Sequence, residues 1–430
     1  MMNTWNFSSL DEEALKRLCE RPRMNTADIT GIVQSIIDQV RERGDEAVLE
    51  LTEKFDGMRP DPLLWRIRDP EQIPVDTDVR QAFQKAYENL YQFHKAQLPQ
   101  SIEVQTMPGI ICRRESRAIE AVGLYIPGGT APLPSTVLML GIPASLAGCS
   151  YKVLATPPDK SGRPPVEVEL AAALTGITHI YLAGGAQAVA AMAYGTGSVR
   201  KVDKIFGPGN QFVTTAKMIL QNSDALVSMD LPAGPSEVMV VADHSADPDF
   251  IATDLLSQAE HGPDSQVVLV TVGPFDAAGV TEALKQHLAD LPRADIARKA
   301  LEHSFIVTTD NKDQAVDMIN RYAPEHLILN LENARDMIPA IRHAGSVFIG
   351  PWTPESVGDY ASGTNHTLPT YGYARMYSGV SVDSFLKYIT FQELDREGLA
   401  AIAPAVTKIA EVEHLEAHKR AVTVRLHNKK

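Results

Sequence analysis

Cysteine is scarce in this sequence, since its 430 residues contain only Cys19, Cys112 and Cys149. Three cysteines cannot form a disulfide framework, and so few in so long a chain are typical of a reducing compartment. No histidine stands beside Cys112 or Cys149, and we interpret both as small buried hydrophobic residues. The alternative of a cysteine nucleophile that forms a thiohemiacetal stays open, because its partner could be distant in sequence.

Long apolar runs and an excess of positive charge are also lacking. The longest apolar stretch, residues 136–149, is interrupted by Pro143 and is too short to cross a bilayer. The N-terminus has no basic segment followed by an apolar run, so we predict no secretory signal. With 40 Lys and Arg against 54 Asp and Glu, the net charge of −14 argues against a nucleic-acid surface. We therefore expect a cytoplasmic protein that binds neither nucleic acid nor a membrane.

What the sequence does contain is an ordinary globular composition with many histidines. Hydrophobic residues make up 44% and charged residues 22% of the chain, so there is ample apolar chain for a buried core. A length of 430 residues suggests about three domains. Because twelve histidines stand beside only three cysteines, the ligands of any bound metal are expected to be mostly nitrogen and oxygen atoms.

The first hundred residues are predicted to be mainly helical. Ser9 and Glu12 form a capping box at the start of a short helix. Apolar residues at helical spacing indicate a second helix that ends at Gly44, and Asp45 is the predicted N-cap of a third. An amphipathic pattern predicts a further helix over residues 78–97.

From about residue 119 the pattern changes to alternating strands and helices. Predicted strands are AVGLYIP, YKVLATPP, HIYLAGG and KVDKIFG, with helical segments between them, and a second unit runs from SEVMVVAD to SVFIG. This alternation predicts an α/β fold with parallel sheets covered by helices. The residues beyond 380 are predicted to be mostly helical and to form a C-terminal appendage.

Three glycine-rich loops follow predicted strands, at residues 127–129, 184–187 and 207–210. None is a G-x-G-x-x-G, and no P-loop lysine signature is present. Each loop alone is more typical of a tight strand-to-helix turn. Because all three lie at the carboxyl ends of strands in one predicted sheet, together they indicate a crevice for a dinucleotide.

Two sequence segments have the chemistry of a metal or acid–base site. Gln258 and His261 stand at i, i+3 in the last turn of a predicted helix, where they could form half of a metal site. The alternative, favoured by spacing alone, is a histidine that interacts with the helix dipole. Glu325 and His326 are adjacent after a proline and could share acid and base roles, although Glu-His is also a common surface dipeptide.

A polar loop and a C-terminal helix supply further candidates. The loop GDYASGTNHTLPTYG contains Asp359, a possible carboxylate ligand, and His366, a possible substrate contact. Alternatively, this loop is only a turn-rich connector without a functional role. Near the C-terminus His414 and His418 have the i, i+4 spacing of a zinc-binding pair, and spacing alone favours that pair over one of Glu413 with His418.

One ordered combination of motifs resembles a known family. The sequence contains, in order, GDEAV, VGLYIPGG, KIFGPGN, MDLPAGPSE, DLLSQAEHGPDSQ, PEHL, GDYASGTNH and AHKRAVTVR. This set resembles the histidinol dehydrogenase family over nearly the whole chain. The leucine in MDLPAGPSE, where the family pattern reads DMPAGPSE, is a mild departure outside the polar groups.

The resemblance implies an enzyme that oxidises L-histidinol to L-histidinal and then to L-histidine, the final step of histidine biosynthesis, with two hydride transfers to NAD. It also implies one Zn²⁺ per subunit, with ligands Gln258, His261, Asp359 and His418, so that His418 is selected over His414. The ligand set could also take manganese or cobalt. Family members are homodimers with intertwined subunits, in which the segment with Glu413 and His418 completes the partner's site.

The resemblance further assigns individual roles. His326 is the expected general base for alcohol oxidation, and Glu325 is expected to activate the water that attacks the aldehyde. Substrate contacts are expected from Ser236, His366, Glu413 and His326 and from the four metal ligands. NAD is expected to contact Tyr125, Gln187 and Asn210, one in each glycine-rich loop. With so few cysteines, aldehyde oxidation is expected to proceed through a hydrate.

The predicted architecture is two Rossmann-like parallel-sheet domains with helical N- and C-terminal extensions, in an intertwined homodimer. The expected divisions are residues 1–24, an N-terminal helical segment; 25–124 with 237–380, a discontinuous first domain; 125–236, the NAD-binding domain; and 381–430, a C-terminal segment that reaches the partner.

Three other functions compete with this interpretation. A related zinc and NAD dehydrogenase could oxidise another primary alcohol, but retention of Glu413 and His366 argues against it. A zinc hydrolase would use Glu325 as base without forming NADH. A non-catalytic binding protein would be unaffected by replacement of Glu325 or His326.

Overall fold

A computed structural model describes residues 2–21, 26–128, 133–231 and 234–427. Among the helices in these ranges, none has the length and apolar content that crossing a membrane requires. Gly129, in the first predicted glycine-rich loop, lies outside the described residues.

The described residues form fifteen strands. They are β1 Asn3–Asn6, β2 Leu64–Arg66, β3 Ile102–Met107, β4 Ile110–Ala118, β5 Ala121–Tyr125, β6 Tyr151–Thr156, β7 His179–Leu182, β8 Lys204–Phe206, β9 Ser228–Met229, β10 Glu237–Ala242, β11 Gln266–Val272, β12 Phe305–Thr309, β13 His326–Asn330, β14 Ser346–Ile349 and β15 Leu386–Leu394.

Fifteen α-helices are found over the same ranges. They are α1 Glu12–Leu18, α2 Thr26–Arg43, α3 Asp45–Asp56, α4 Thr77–Lys95, α5 Pro134–Ala147, α6 Val166–Leu174, α7 Gly185–Tyr194, α8 Gln211–Gln221, α9 Pro248–Ala259, α10 Ala277–Asp290, α11 Ala294–Glu302, α12 Lys312–Tyr322, α13 Glu355–Tyr360, α14 Arg396–Val412 and α15 Glu416–His427.

Two six-stranded sheets form the centre of the fold. The upstream sheet has the order β2-β7-β6-β5-β8-β9, and the downstream sheet has the order β1-β12-β11-β10-β13-β14. All pairings are parallel except that of β2 with β7. Helices cover both faces of each sheet, so four apolar clusters form the core. The predicted α/β class with two parallel-sheet units is confirmed.

The C-terminal region differs from the prediction that it is mostly helical. Residues Leu386–Leu394 form β15, which pairs antiparallel with β4, and β4 pairs with β3 in a small three-stranded sheet. The sequence LKYITFQEL contains aromatic and β-branched residues that fit a strand. The helical prediction is correct only for α14 and α15.

Two predicted helix caps are wrong, although the helices themselves are present. The carboxylate of Asp11, not Ser9, caps α1 by accepting from the N–H of Ala14 at 2.7 Å. Gly44, with φ of 56°, is the N-cap of α3. Asp45 is the first residue of α3, and its carboxylate accepts instead from the hydroxyls of Ser198, at 2.8 Å, and of a neighbouring threonine.

The predicted domain boundaries stay a prediction, but the strand pairing is at odds with one of them. β2 pairs with β7 of the upstream sheet, and α2 packs against α7 and α8 on that sheet. Residues 26–66 therefore lie with the upstream sheet, whereas the sequence analysis grouped residues 25–124 with residues 237–380. Periodicity identifies an amphipathic helix but not the sheet that its apolar face covers.

Candidate active site

The predicted acid–base residues lie at the amino edge of the downstream sheet. His326 is the first residue of β13 and Glu325 precedes it, while Glu237 is the first residue of the neighbouring strand β10. The β10–β13 ladder begins with Val238 opposite His326. The site therefore differs from the usual position of an α/β ligand site, at the carboxyl ends of strands.

Glu325 and His326 are buried and are oriented by one backbone residue. The N–H of Glu237 donates to Oε2 of Glu325 at 2.9 Å. The carbonyl of Glu237 lies 3.1 Å from Nδ1 of His326, which assigns the ring proton to Nδ1 in the neutral tautomer. Burial raises the pKa of Glu325 to about 8. A carboxyl with this pKa can exchange protons near neutral pH.

The other ring nitrogen of His326 faces the predicted metal ligands. Nε2 lies 3.3 Å from Oδ1 of Asp359, in a geometry that makes no hydrogen bond, so it is a buried nitrogen without a hydrogen-bond partner. Burial alone would lower the pKa of His326, yet this pKa is raised well above its ordinary value by the surrounding carboxylates of Glu355, Glu325 and Asp359.

A cluster of side chains that could bind a metal ion, called the metal group below, lies beside His326. Ligand atoms of His261, Glu355 and Asp359 all lie within 4.8 Å of one another. Desolvation of its ring by neighbouring atoms lowers the pKa of His261, which favours the neutral imidazole that binds metals. Burial opposes ionisation of Asp359, but its contact with His326 lowers its pKa. Converging carboxylates and an imidazole are suitable ligands for zinc, so these residues fit a bound Zn²⁺.

The amide of Gln258 completes this group at the end of α9. In the orientation that satisfies its neighbours, its nitrogen donates to both oxygens of Glu355, at 3.1 Å for Oε2, and its oxygen accepts from Oγ of Ser236 at 3.2 Å. Gln258 and Glu355 are both 1% exposed. Because Glu355 accepts from the amide nitrogen of Gln258, the amide oxygen, which accepts from Ser236, is the atom that could bind a cation.

His366 links this cluster to the upstream sheet. Its Nδ1 lies 2.7 Å from the carbonyl oxygen of Asp359, and its Nε2 lies 2.9 Å from Oγ1 of Thr136. Thr136 is in the first turn of α5, which follows β5 of the upstream sheet. Since Nδ1 donates to a carbonyl, Nε2 accepts from the threonine hydroxyl. Residues from both sheets therefore meet at the site.

Two predicted site residues are not brought to this cluster within the chain. Glu413 and His418 are exposed. The backbone N–H of Glu413 donates to the carbonyl of Ile409, and that of His418 to the carbonyl of Leu415, so both bonds stay within the C-terminal helical segment. Helix α15, which contains His418, has no buried residue. Their assignment to a site that a second copy of the chain completes therefore stays a prediction.

The predicted dinucleotide residues lie at the carboxyl edge of the upstream sheet. Tyr125 ends β5, and its hydroxyl accepts from the N–H of Gly185 at 3.1 Å; burial raises its pKa to about 12. Gln187 is buried in α7. The side-chain oxygen of Asn210 caps α8, accepting from the N–H groups of residues 212 and 213 at 3.0 and 3.2 Å. At Gly207, φ is 119° and a Cβ would overlap the carbonyl of Tyr125, so only glycine fits there.

A cavity of about 640 Å³ adjoins the first of the glycine-rich loops at Gly128. Gly128 and Thr156, both at the carboxyl edge of the upstream sheet, form part of its wall, together with the proline-rich loop 157–165. Glu169 is buried in the same wall and accepts from Nη2 of Arg68 at 2.5 Å. This cavity is separate from the acid–base cluster, since none of its lining residues belongs to that cluster.

The cysteines show no sign of activation. All three are free, and burial raises the pKa of both Cys19 and Cys149 to about 11. Nucleophilic cysteines instead have lowered pKa values. This result favours the interpretation of Cys149 as a core residue.

Sequence analysis missed two residues of the cluster, Glu355 and Thr136. An acidic residue in the first helical turn after a proline is typical of a helix N-terminus, so Glu355 carried no distinct signal. Thr136 lies in an apolar helix and touches the site only through His366.

The α/β scaffold has glycine-rich loops on one sheet. On the other sheet, a buried acid–base pair lies beside residues that could bind a metal ion. This is the architecture of a metal-dependent dehydrogenase. The sequence profile described as "Histidinol dehydrogenase" matches residues 19–426. The chain belongs to the histidinol dehydrogenase family, whose members use NAD and zinc.

Individual relatives agree with this assignment. The chain is 56% identical over 426 residues to the chloroplastic histidinol dehydrogenase of Arabidopsis thaliana, covering 99% of this chain and 91% of the relative. It is 53% identical over 430 residues to the histidinol dehydrogenase of Photobacterium profundum, covering 99% and 96%. A crystal structure of histidinol dehydrogenase from Elizabethkingia anophelis superposes with a TM-score of 0.94 at 47% identity, covering 99% and 98%.

Proposed function

We propose that this protein oxidises L-histidinol through L-histidinal to L-histidine, with its own residues in the roles below. The observation that carries the proposal is the buried pair Glu325 and His326, held by Glu237 and facing the metal group. This pair supplies the two proton transfers that a four-electron oxidation requires at one site. Family membership supports the substrate.

The two residues act in successive half-reactions. In the first, Nε2 of His326 takes the hydroxyl proton of the alcohol as a hydride leaves its carbon, giving the aldehyde. In the second, the carboxylate of Glu325 takes a proton from water, whose oxygen attacks the aldehyde carbon to give the singly deprotonated hydrate. Loss of a second hydride from this anion then gives the carboxylic acid. Bound NAD serves as the hydride acceptor in each half-reaction.

Gln258, His261 and Asp359 would hold the zinc ion together with His418 of the partner subunit. The converging donors and the orphan Nε2 of His326 support a cation at this place. Bound zinc supplies a positive charge that orients the imidazole and amine of the substrate. In this way zinc, its ligands and His326 contribute to substrate binding.

Further substrate and cofactor contacts are proposed on the same basis. Ser236 and His366 lie at the cluster and would bind polar groups of the substrate. Glu413 of the partner subunit would accept a hydrogen bond from the imidazole N–H. Tyr125, Gln187 and Asn210 would contact NAD, because their loops present N–H groups at strand and helix ends.

The proposed active enzyme is a homodimer with shared sites. Apolar side chains are exposed on the small sheet and the C-terminal helices, where a monomer would leave them in water. They include Ile102, Val104, Phe391, Ile409, Val412, Leu415 and Val424. The same segment carries Glu413 and His418, so covering it with a second copy would both bury apolar area and complete the metal site. Since its cysteines are free, we place the reaction in the reducing cytoplasm.

A stoichiometric assay tests this proposal. Zinc-loaded protein is incubated with a limiting amount of L-histidinol and excess NAD, and NADH absorbance is compared with the L-histidine formed. Two NADH per L-histidine are expected, because each hydride transfer reduces one NAD. No NADH together with no L-histidine from L-histidinol would exclude this oxidation, and turnover of a different primary alcohol with none of L-histidinol would indicate a related dehydrogenase. Either result would overturn the proposal.

A further inference from the structure

Glu237 controls the position of both proposed catalytic residues through its backbone. Its N–H donates to Oε2 of Glu325, and its carbonyl faces Nδ1 of His326, at 2.9 and 3.1 Å. In the ladder with β11, Glu237 is opposite Gln266. The ladder with β13 begins one residue later. On the β13 side, the backbone of Glu237 therefore binds the catalytic pair and is not fixed by sheet pairing.

The side chain of Glu237 supplies an anchor instead. Nε of Arg21 donates to Oε1 of Glu237 at 2.9 Å, and Nη2 donates to Oε2 at 2.8 Å. The backbone N–H of Tyr371 also donates to Oε1, at 2.9 Å. The Arg21 and Glu237 side chains are only 7% and 2% exposed. A bidentate contact of this kind fixes the orientation of the Glu237 carboxylate as well as its distance from Arg21.

Arg21 is itself firmly held. Nη1 donates to the carbonyl of Cys19 and Nη2 to the carbonyl of Tyr322, each at 2.8 Å. Its guanidinium lies 3.5 Å from the centre of the Tyr322 ring, and the Tyr322 hydroxyl donates to Gln266 at 2.7 Å. The N-terminal segment thus reaches the amino edge of β10 and β11 through one side chain.

We propose that Arg21 is a positioning residue that holds Glu237, and through it aligns Glu325 and His326 for proton transfer. This inference rests on the proposed function for the roles of those two residues. Net stability is a weak explanation for such a buried ion pair, because desolvation of the two charges offsets much of their attraction. Alignment matters more, since a misplacement of about 1 Å can cost about a hundredfold in rate.

Three variants test this role in the zinc-loaded, full-length enzyme. R21K keeps the charge but loses the fork geometry. R21M/E237Q removes both charges, while the introduced amide oxygen still accepts from the N–H of Tyr371. R321K is the matched control, because Arg321 ties α12 to Glu12 of the N-terminal segment through two bonds but does not contact Glu237.

The measurements are kcat and KM for L-histidinol and for L-histidinal, with the melting temperature and zinc content of each variant. We expect R21K and R21M/E237Q to bind zinc and to lose about tenfold or more in kcat for both substrates. KM should stay within about twofold, since neither residue is placed in contact with substrate. R321K should retain wild-type kcat.

Several results would overturn the role of Arg21. These are unchanged kcat in folded R21M/E237Q, a loss confined to KM, or an equal loss of kcat in R321K. The last would assign the effect to a loosened N-terminal segment. Wild-type turnover of L-histidinol is measured in parallel, so failure of the proposed function is recognised separately as an inactive wild type.

Discussion

Nε2 of His326 lies 3.3 Å from Oδ1 of Asp359, so the proposed base directly adjoins a proposed metal ligand. Because Nδ1 faces the carbonyl of Glu237, Nε2 is the nitrogen that is available to a substrate hydroxyl. The carboxyl groups of Glu355, Glu325 and Asp359 around the ring raise the pKa of His326 well above its ordinary value. Proton transfer and cation binding are therefore electrostatically coupled at this site.

Glu325→Gln and His326→Asn should separate the two half-reactions. The first substitution removes the base that activates water, so oxidation of L-histidinal should fall about 100-fold or more while oxidation of L-histidinol to the aldehyde changes little. The second removes the base for alcohol oxidation, so it should slow the L-histidinol step most. Single-turnover NADH formation from each substrate measures both effects. Equal losses for both substrates in both variants would contradict the division of roles.

The rate of L-histidinal oxidation should depend on the ionisation of Glu325. A carboxyl must lose its proton before it can accept one from water, and burial raises the pKa of Glu325 to about 8. Below that pH the rate should therefore rise about tenfold per pH unit, and above it the rate should level off. A pH profile of single-turnover rates measures this limb. A flat profile from about pH 6 to 9 would show that Glu325 is already ionised over this range and would contradict its raised pKa.

Glu355→Met should weaken zinc binding without unfolding the enzyme. Its carboxylate lies in the metal group and orients the amide of Gln258, and loss of such support typically costs about 10- to 100-fold in metal affinity. Competition with a chromogenic chelator measures the affinity. Glu260→Gln is the control, because it removes one negative charge at the C-cap of the same helix as Gln258 while keeping every residue of the metal group. Unchanged affinity in Glu355→Met would rule out this role.

The cysteines should be dispensable for aldehyde oxidation. Burial raises the pKa of Cys19 and Cys149 to about 11, so both are protonated thiols at neutral pH. Alanine at Cys19, Cys112 and Cys149, singly and together, should leave kcat for L-histidinal within about twofold. A selective loss of the aldehyde step in any folded single variant would instead indicate a thiohemiacetal intermediate.

Mixing two inactive variants should restore activity if sites are shared between subunits. His261→Ala and His418→Ala each remove one proposed zinc ligand, so each homodimer should be inactive. After unfolding and refolding together, half of the dimers are mixed, and each has one intact site, which predicts about a quarter of wild-type activity. The activity of wild-type enzyme refolded in the same way is the reference for this fraction. No recovery, with mixed dimers detected by a tag on one variant, would show that the sites are not shared.

Sequence alone predicted the central architecture well, because its signals are local. Continuous apolar segments such as AVGLYIP predicted buried parallel strands, and the helices between them follow from composition and turn residues. The strand β15 was missed, because its residues were included in the helical prediction made for the whole region beyond residue 380. Its partner β4 lies more than 250 positions earlier in the chain, and long-range pairing leaves little local trace.

Residues of the candidate site could be predicted only where they belong to a recognisable sequence motif. Gln258, His261, Glu325, His326, Asp359 and His366 were all identified from motifs, and the structure brings them together. Glu355 was missed because its position is ordinary for a helix start. Arg21 was missed because its partner Glu237 is 216 positions away. Glu413 and His418 are exposed and do not reach the cluster within one chain, so their place in the site stays a prediction.

The opposed positions of the two functional edges have a consequence for inhibitor design. The acid–base cluster lies at the amino edge of the downstream sheet, and the glycine-rich loops lie at the carboxyl edge of the upstream sheet, with His366 and Thr136 joined between them. An imidazole tethered to an adenosine mimic would span both edges in a single molecule. Ordinary dinucleotide enzymes present their ligands at the carboxyl edge of one sheet, so such a bisubstrate compound would be selective by geometry as well as by chemistry.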